Sequence, residues 1–587
     1  MRRIACSVFV LGAIFACGDR DGGFRSDGPG ILGSDAGADA GPSCVGTVRC
    51  SRDLRSVVDG CDETKVITEC PPELGCAEGK CLPACDAAVG ANATMGCEFV
   101  ALPPPRVNVT VGSCFAAVLA NTWETPAQIE AEYEGEPLDI GTITRIMRTV
   151  DGKTTYEPFG GELAPGEVAV VFLAGEASGI MAVPCPAGTT PAVKKETAQN
   201  GTRRGSTFRL KTTAPVSAYS VYPFGGSAST ASTSTILLPL ASWKNDYVVT
   251  SPWEVRYFSA EDPYFPTTQI VAAEDDTEIS VTGSVHIGEG EDVEAAEKGV
   301  AKKYRLRRGE QIQFFQDQDL TGTRIGANKK IGVWVGHQGM AIPSTSTCCG
   351  DSSQTALFPV KSWGREYVAV PYISRSSGGV SEQYLYRLTG AVDGTVLEYE
   401  PSQPKDAPSS LAAGESLFFM TQQPFLVRSQ DIEHPFALYS YMTGEAFARA
   451  QGYQGDPEFV PVVPAEQYLG RYVFFADTSF PNSQLVVVRS REDDKAFEPV
   501  VLDCAGGPLE GWAPVGTSGK HEFARVFLTK NGKPQAVGAG TCSTGRHEIH
   551  SNGPIAVTVW GTDQYGSYGY PGGAALRTIN SVDVVVQ

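Results

Sequence analysis

The sequence predicts an all-β protein of tandem β-sandwich-like repeats behind a small disulfide-rich module. Three observations carry this. A phrase of proline, an aromatic four residues on and a tyrosine four beyond recurs at Pro239/Trp243/Tyr247, Pro359/Trp363/Tyr367 and Pro464/Tyr468/Tyr472, with starts 120 and 105 residues apart. Self-similarity at so long a period marks a chain built from copies of one unit. Short apolar runs with period-two alternation, such as 168–172, 311–315 and 484–488, recur from about residue 98 onward among frequent Gly and Pro, the pattern of short strands and turns. Finally, eight cysteines crowd into residues 44–97 with few core-sized residues between them, which argues for disulfides in place of a large core.

At the N-terminus, Arg2 and Arg3 precede an apolar run over 4–15. A bilayer needs about 20 helical residues, so the run reads as a secretion signal. It ends Ile14-Phe15-Ala16-Cys17, and a small residue just before a cysteine resembles the lipobox of bacterial lipoproteins. The expectation is removal of 1–16, acylation of Cys17 and anchoring to a membrane through the lipid. Phe15 stands where a small residue is usual, and plain cleavage after Ala16 is the alternative. Residues 17–43, rich in Gly, Ala and Asp, cannot bury enough surface to offset ordering entropy and read as a tether.

The Cys-rich module holds Cys44, Cys50, Cys61, Cys70, Cys76, Cys81, Cys85 and Cys97. Their spacing is irregular and no histidine precedes His286, which disfavours zinc and leaves the disulfide connectivity open. Without Cys6 of the signal and Cys17, fourteen cysteines remain, and the last six fall into sequence-local pairs: Cys114 with Cys185, the adjacent Cys348 and Cys349, and Cys504 with Cys542. An oxidising compartment follows.

The formal charge of −20, which becomes −22 once Arg2 and Arg3 leave, excludes a nucleic-acid partner, whose phosphates need a basic stripe. Beyond the opening phrase, the copies share a Leu-x-x-Gly-Glu turn at 163–167, 306–310 and 411–415. They also share a closing strand at 214–219, 330–334, 434–439 and 552–557. Four closings against three openings give four units, at 98–235, 236–345, 346–455 and 456–587, the first without a clear opening. About seven short strands per unit of this length suits a β-sandwich. A propeller-like closure of the repeats is the alternative, each unit then supplying two blades.

The opening phrase, the closing strands and the terminal Tyr565-Gly-Ser-Tyr-Gly-Tyr-Pro-Gly-Gly573 resemble the IgGFc-binding protein N-terminal domain family over roughly 98–587. The lipobox and Cys-rich preface are similar to the layout of bacterial, myxobacterial-type members. The family is named for an animal mucus protein said to bind the Fc region of immunoglobulin G. The resemblance implies an extracellular β-rich binding or structural module without established chemistry, not an immunoglobulin ligand.

Motifs that would carry chemistry are few. His547-Glu-Ile-His550 lacks the i, i+4 spacing of a helical zinc site, and in a strand the two histidines face opposite ways. Gly350-Asp-Ser-Ser353 lacks the glycines of a nucleophile turn, and no triad partner is marked. Gly455-Asp-Pro-Glu458 resembles the Gly-Asp-Pro-His self-cleavage site of mucin-type domains, but Glu458 replaces the histidine, leaving an Asp-Pro turn. Asp317, Asp319, Asp275 and Asp276 are the calcium candidates, although the 317–322 segment does not continue as an EF-hand loop. No other cofactor is expected. Trp243, Trp363 and Tyr468 read as core plugs, with an exposed sugar-stacking platform as their alternative. Together these give a non-enzymatic, lipid-anchored protein at the outer membrane or cell surface of a Gram-negative bacterium, binding an extracellular glycoprotein, polysaccharide or envelope partner. A hydrolase with its site between repeats and a passive envelope element are the alternatives.

Overall fold

The computed structural model describes residues 47–586 except 52, 63–64, 92–93, 151–152, 230, 260–261, 345–349, 378–380 and 492–494. The signal and tether, Cys17, Cys44, Cys348 and Cys349 lie outside the described residues. Half of the protein is strand (50%) against 6% helix, which places it among all-β folds, and several of the sheets are curled half-barrels.

In the Cys-rich module the disulfides are Cys50–Cys76, Cys70–Cys81 and Cys85–Cys97, and Cys61 is also disulfide-bonded. Two small sheets and the helix Ala84–Ala91 supply little core of their own, so the cross-links supply the staples. Cys114–Cys185 and Cys504–Cys542 close loops in the first and last large sheets.

Four sheet systems follow, of nine, eight, four plus four, and nine strands. These are more than the seven expected per unit, because long bent closing strands bridge both halves of a sheet. Phe208–Tyr222, Arg324–Met340 and Gly545–Asp563 each pair with at least four neighbours. Sheet membership also crosses the sequence divisions: Arg203–Ser206 pairs with Glu310–Phe315 of the second sheet. The third system is a sandwich of two four-stranded sheets whose inner faces share a core of Tyr386, Leu388, Val427 and Leu438.

Period-two alternation explains how separate sheets share one interior. In Phe115–Asn121, residues Phe115, Ala117 and Leu119 enter the first sheet's own core, while Ala116, Val118 and Ala120 enter a larger core common to all four systems. Val168–Ala174 divides in the same way, which is why both strands read as continuous apolar runs.

Each closing strand is followed by a return strand pairing antiparallel with it: Thr233–Leu237, Asp351–Ala356, Glu458–Pro461 and Gly566–Pro571. These four lie side by side in that cyclic order, the fourth beside the first, so the repeats close around a common hub. Side chains knit it: Ser352 Oγ donates to Ala231 O at 2.7 Å, Ser567 Oγ to Asp456 O at 2.6 Å and Ser232 Oγ to Ser567 O at 3.0 Å. The arrangement is the closure of a propeller, made from half-barrels and a sandwich instead of blades.

The opening phrases follow the first three return strands. Pro239, Pro359 and Pro464 each cap a single 3-10 turn, and the aromatic after it is buried: Trp243, Trp363 and Tyr468 are 1%, 2% and 5% exposed. Trp243 Nε1 donates to Leu238 O and Trp363 Nε1 to Phe358 O, satisfying each indole locally. The phrase tyrosines then donate to closing-strand carbonyls: Tyr247 to Ile331, Tyr367 to Phe436 and Tyr472 to Ile555. The Leu-x-x-Gly-Glu turns also match one another. Gly166, Gly309 and Gly414 have φ of 76°, 72° and 73°, and Glu167, Glu310 and Glu415 each accept from the N–H three residues earlier. Glycine is needed there because a left-handed backbone costs other residues about 1–2 kcal/mol.

After Gly572 the chain runs as an extended strap across earlier phrases. Ala575 N donates to Gln467 O, Ile579 N to Lys361 O, and Asn580 Nδ2 to Val360 O and Trp363 O. Lys361 Nζ meets Asp583 at 2.6 Å, and Val586 lies against Gly326.

Candidate binding cleft

A concavity of about 920 Å³ lies where the Cys-rich module, the turn after Phe115–Asn121 and the strands Leu469–Ala476 and Gly545–Asp563 meet. It is built upward from Asn121, whose fully buried side chain donates to Thr125 O and Leu163 O at 2.9 Å and accepts from Trp123 N at 2.8 Å. That brace fixes Trp123, whose Nε1 donates to Pro72 O in the Cys-rich module. Arg55 stacks on its indole, 3.9 Å from the ring centre, with Glu124 at 3.6 Å. Burial and the nearby Arg471 charge hold Arg55 below its ordinary pKa, partly offset by Glu124.

The opposite wall comes from neighbouring strands of the last sheet. Glu548 bridges two guanidinium groups, accepting from Arg471 Nε at 2.8 Å and from Arg546 Nη2 at 2.9 Å. Burial opposes its ionisation, but these bonds and charges outweigh it and keep the carboxyl below its ordinary pKa. Glu548 is therefore an anchored anion and not a proton donor of the kind a glycosidase acid must be. With Arg49 and Arg491 also lining it, the hollow sets guanidinium groups beside the buried indole and among the carboxylates of Asp53, Asp62, Glu124, Glu498 and Glu548. Such a lining suits recognition of hydroxyl- and carboxylate-bearing ligands.

A second constellation touches the cleft. Ser490, which lines it, lies with its Oγ 2.8 Å from His521 Nδ1, and His521 Nε2 is 3.0 Å from Glu366 Oε1. A serine hydrolase presents Nε2 to the serine and Nδ1 to the acid, and uses backbone N–H groups beside the nucleophile for the oxyanion. Here the ring is turned the other way, and the N–H of Arg491 donates to Lys520 O. Ser490 and His521 are directly opposed across two strands, and Glu366 comes from the third system, so the trio ties two repeats together.

The sequence candidates fall elsewhere. Asp319 accepts from Thr321 and pairs with Arg387 at 3.3 Å; Asp275 accepts from Arg308 N; Asp276 pairs with Arg305; and Asp317 is exposed. Among the described residues the ligand-type group that converges is Asp503, Cys504 and His547, and the Cys504 sulfur is already bonded to Cys542. His547 is buried with Nδ1 at 2.9 Å from Asp503, whereas His550 is exposed at the cleft. Ser352 and Ser353 are fully buried in a return strand.

Gly455 takes φ 72°, and a Cβ there would meet Met442, Arg375 and Thr562 within 2.9 Å. Asp456 and Glu458 join Asp351 as buried hub acids. Burial raises all three; Asp351 is raised further by the other two, and Asp456 reaches about 7.

The cleft itself was not visible in sequence, because its parts lie hundreds of residues apart. The local signal is Arg546-His-Glu548, in which the glutamate and not the histidine carries the geometry of the cleft.

The decisive comparison is with a family model described as IgGFc binding protein, which matches residues 233–561. The chain belongs to the IgGFc binding protein family. The match begins at the first return strand and ends in the last closing strand, so it spans the three repeats with an opening phrase. It is shorter than the 98–587 expected, leaving 98–232 and 562–587 outside the match. The IgGFc binding family is a binding-type family, not a known enzyme family, and it supports an extracellular partner. No curated protein matches the chain significantly.

Proposed function

We propose that the protein is a lipid-anchored, cell-surface member of the IgGFc binding family that holds an extracellular glycoprotein, polysaccharide or envelope partner in the cleft beside Trp123. The observation that carries this is the roughly 920 Å³ hollow with Arg55, Arg471 and Arg546 held in place around an indole. Fixed guanidinium forks lose little entropy on binding, which favours recognition of oriented polar groups.

The test is binding of the purified chain to a glycan and mucin array, with and without calcium, beside Arg471→Ala. Capture of a defined class that falls about tenfold or more in the variant supports the reading. Equal capture by both proteins removes the cleft from it. For the anchor, Cys17→Ala is expected to move the protein from the membrane pellet to the soluble fraction; retention in the pellet would rule out lipidation.

A hydrolase reading draws on the Ser490–His521–Glu366 relay alone. A fluorophosphonate probe that labels wild type but not Ser490→Ala would favour it over pure binding.

A further inference from the structure

Tyr453 and Tyr565 stack with ring centres 5.2 Å apart and planes 25° from parallel. The chain pins them together: Tyr565 N donates to Tyr453 O at 2.9 Å, and Gln454 bridges to Gln564. Both tyrosines have a left-handed backbone, with φ of 57° and 55°. This conformation costs a bulky residue about 1–2 kcal/mol relative to glycine. Elsewhere among the described residues this backbone falls on exposed polar turn residues, such as Glu78, Glu134 and Arg449, and on the buried Leu54 and Leu576. Tyr453 differs from both groups, being an aromatic ring that is 52% exposed and stacked on one face only. The turn thus presents an aromatic ring to solvent at a position that glycine or asparagine would fill with less strain.

We propose that Tyr453, backed by Tyr565, is a sugar-stacking platform, a second binding site that takes one pyranose face of an extracellular glycan. A ring with one face covered by its partner and half its area open presents its other face, and the apolar face of a pyranose is its match in size. The surroundings supply the rest. Gln451 and Gln564 are exposed and Asp563 is half-buried, giving amide donors and a carboxylate acceptor for sugar hydroxyls. One open ring ringed by polar groups is far below the roughly 800 Å² per partner of a standard protein interface. Gly452 and Gly455, with φ of 69° and 72°, flank the platform, so the turn depends on positions that only small residues fill without strain. The proposal does not rest on the cleft, and the two readings fail separately.

The experiment is calorimetry of the full chain in detergent with soluble β-glucan, chitin, galactan and mannan oligosaccharides. At least one should bind wild type. Tyr453→Gly should weaken it about tenfold or more, the loss of one stacked face, without lowering the thermal midpoint, since it also removes the backbone strain. Tyr453→Trp should bind as well or better, and Lys303→Ala, in an exposed ion pair with Glu278, should bind as wild type. Silence toward every oligosaccharide overturns the proposal, as does undiminished binding by Tyr453→Gly or a loss in Lys303→Ala equal to that in Tyr453→Gly. A Tyr453-dependent complex with a carbohydrate-free protein, in the absence of oligosaccharide binding, would assign the patch to protein docking instead.

Discussion

The hydroxyl of Tyr472 donates to the main-chain carbonyl of Ile555 at 2.6 Å, joining residues 83 positions apart. Tyr247 with Ile331 and Tyr367 with Phe436 make the same link, each tyrosine closing an opening phrase and each carbonyl near the start of its closing segment. Replacing any of these tyrosines by phenylalanine keeps the ring but strands a buried carbonyl. The expected cost is about 1–2 kcal/mol per site, read as a lower denaturation midpoint at unchanged m-value. Three neutral substitutions would show that the links are incidental to the repeat.

The hub acids give the fold a pH signature. Burial raises Asp456 from an ordinary 3.8 to about 7, so the folded state takes up a proton more readily than the unfolded chain. Its contribution is fully present at acid pH and lost as pH rises through that window, opposite in sign to a salt-bridged carboxylate. Asp351 and Glu458 are raised in the same direction. Asp456→Asn keeps an acceptor for Glu445 N–H and is expected to raise the midpoint at pH 8 while changing little at pH 4. A variant less stable at pH 8 than wild type would mean that the ionised carboxylate is favoured in the hub.

Cys114 and Cys185 close a loop of 71 residues in the first sheet, and both flank strands that feed the shared core. Removing this cross-link in Cys114→Ala/Cys185→Ala should cost about 4 kcal/mol by loop-closure entropy, visible in chemical denaturation. A loss below about 1 kcal/mol would place the stability of that loop in its packing instead.

The sequence made the repeat legible because its signals are local: a proline before a single turn, an aromatic that must be buried, and a glycine whose φ only it tolerates. The turn glutamates at 167, 310 and 415 repeat for the same reason, each satisfying an N–H three residues away. The hub was not legible. Its strands share no apolar pattern, Asp351–Ala356 being almost wholly polar, and their cyclic adjacency depends on pairs such as Ser232 and Ser567, 335 residues apart. The cleft was hidden likewise, since Arg471 reaches Thr122 from 349 positions downstream. Tyr453 was hidden by the opposite circumstance: a lone tyrosine between glycines carries no pattern until its backbone angle and exposure are known.

The strap beyond Gly572 makes these repeats unequal in time. It binds the phrases at Gln467 and Val360–Trp363, and reaches Gly326, in reverse chain order. Being downstream of everything it ties, it leaves the ribosome and any export channel after them. Each half-barrel can therefore form as it emerges, and the strap adds the last ties to a hub already joined through Ser232, Ser352 and Ser567. A chain interrupted before Ala574 carries all four sheets and their hub without the cord that cinches them.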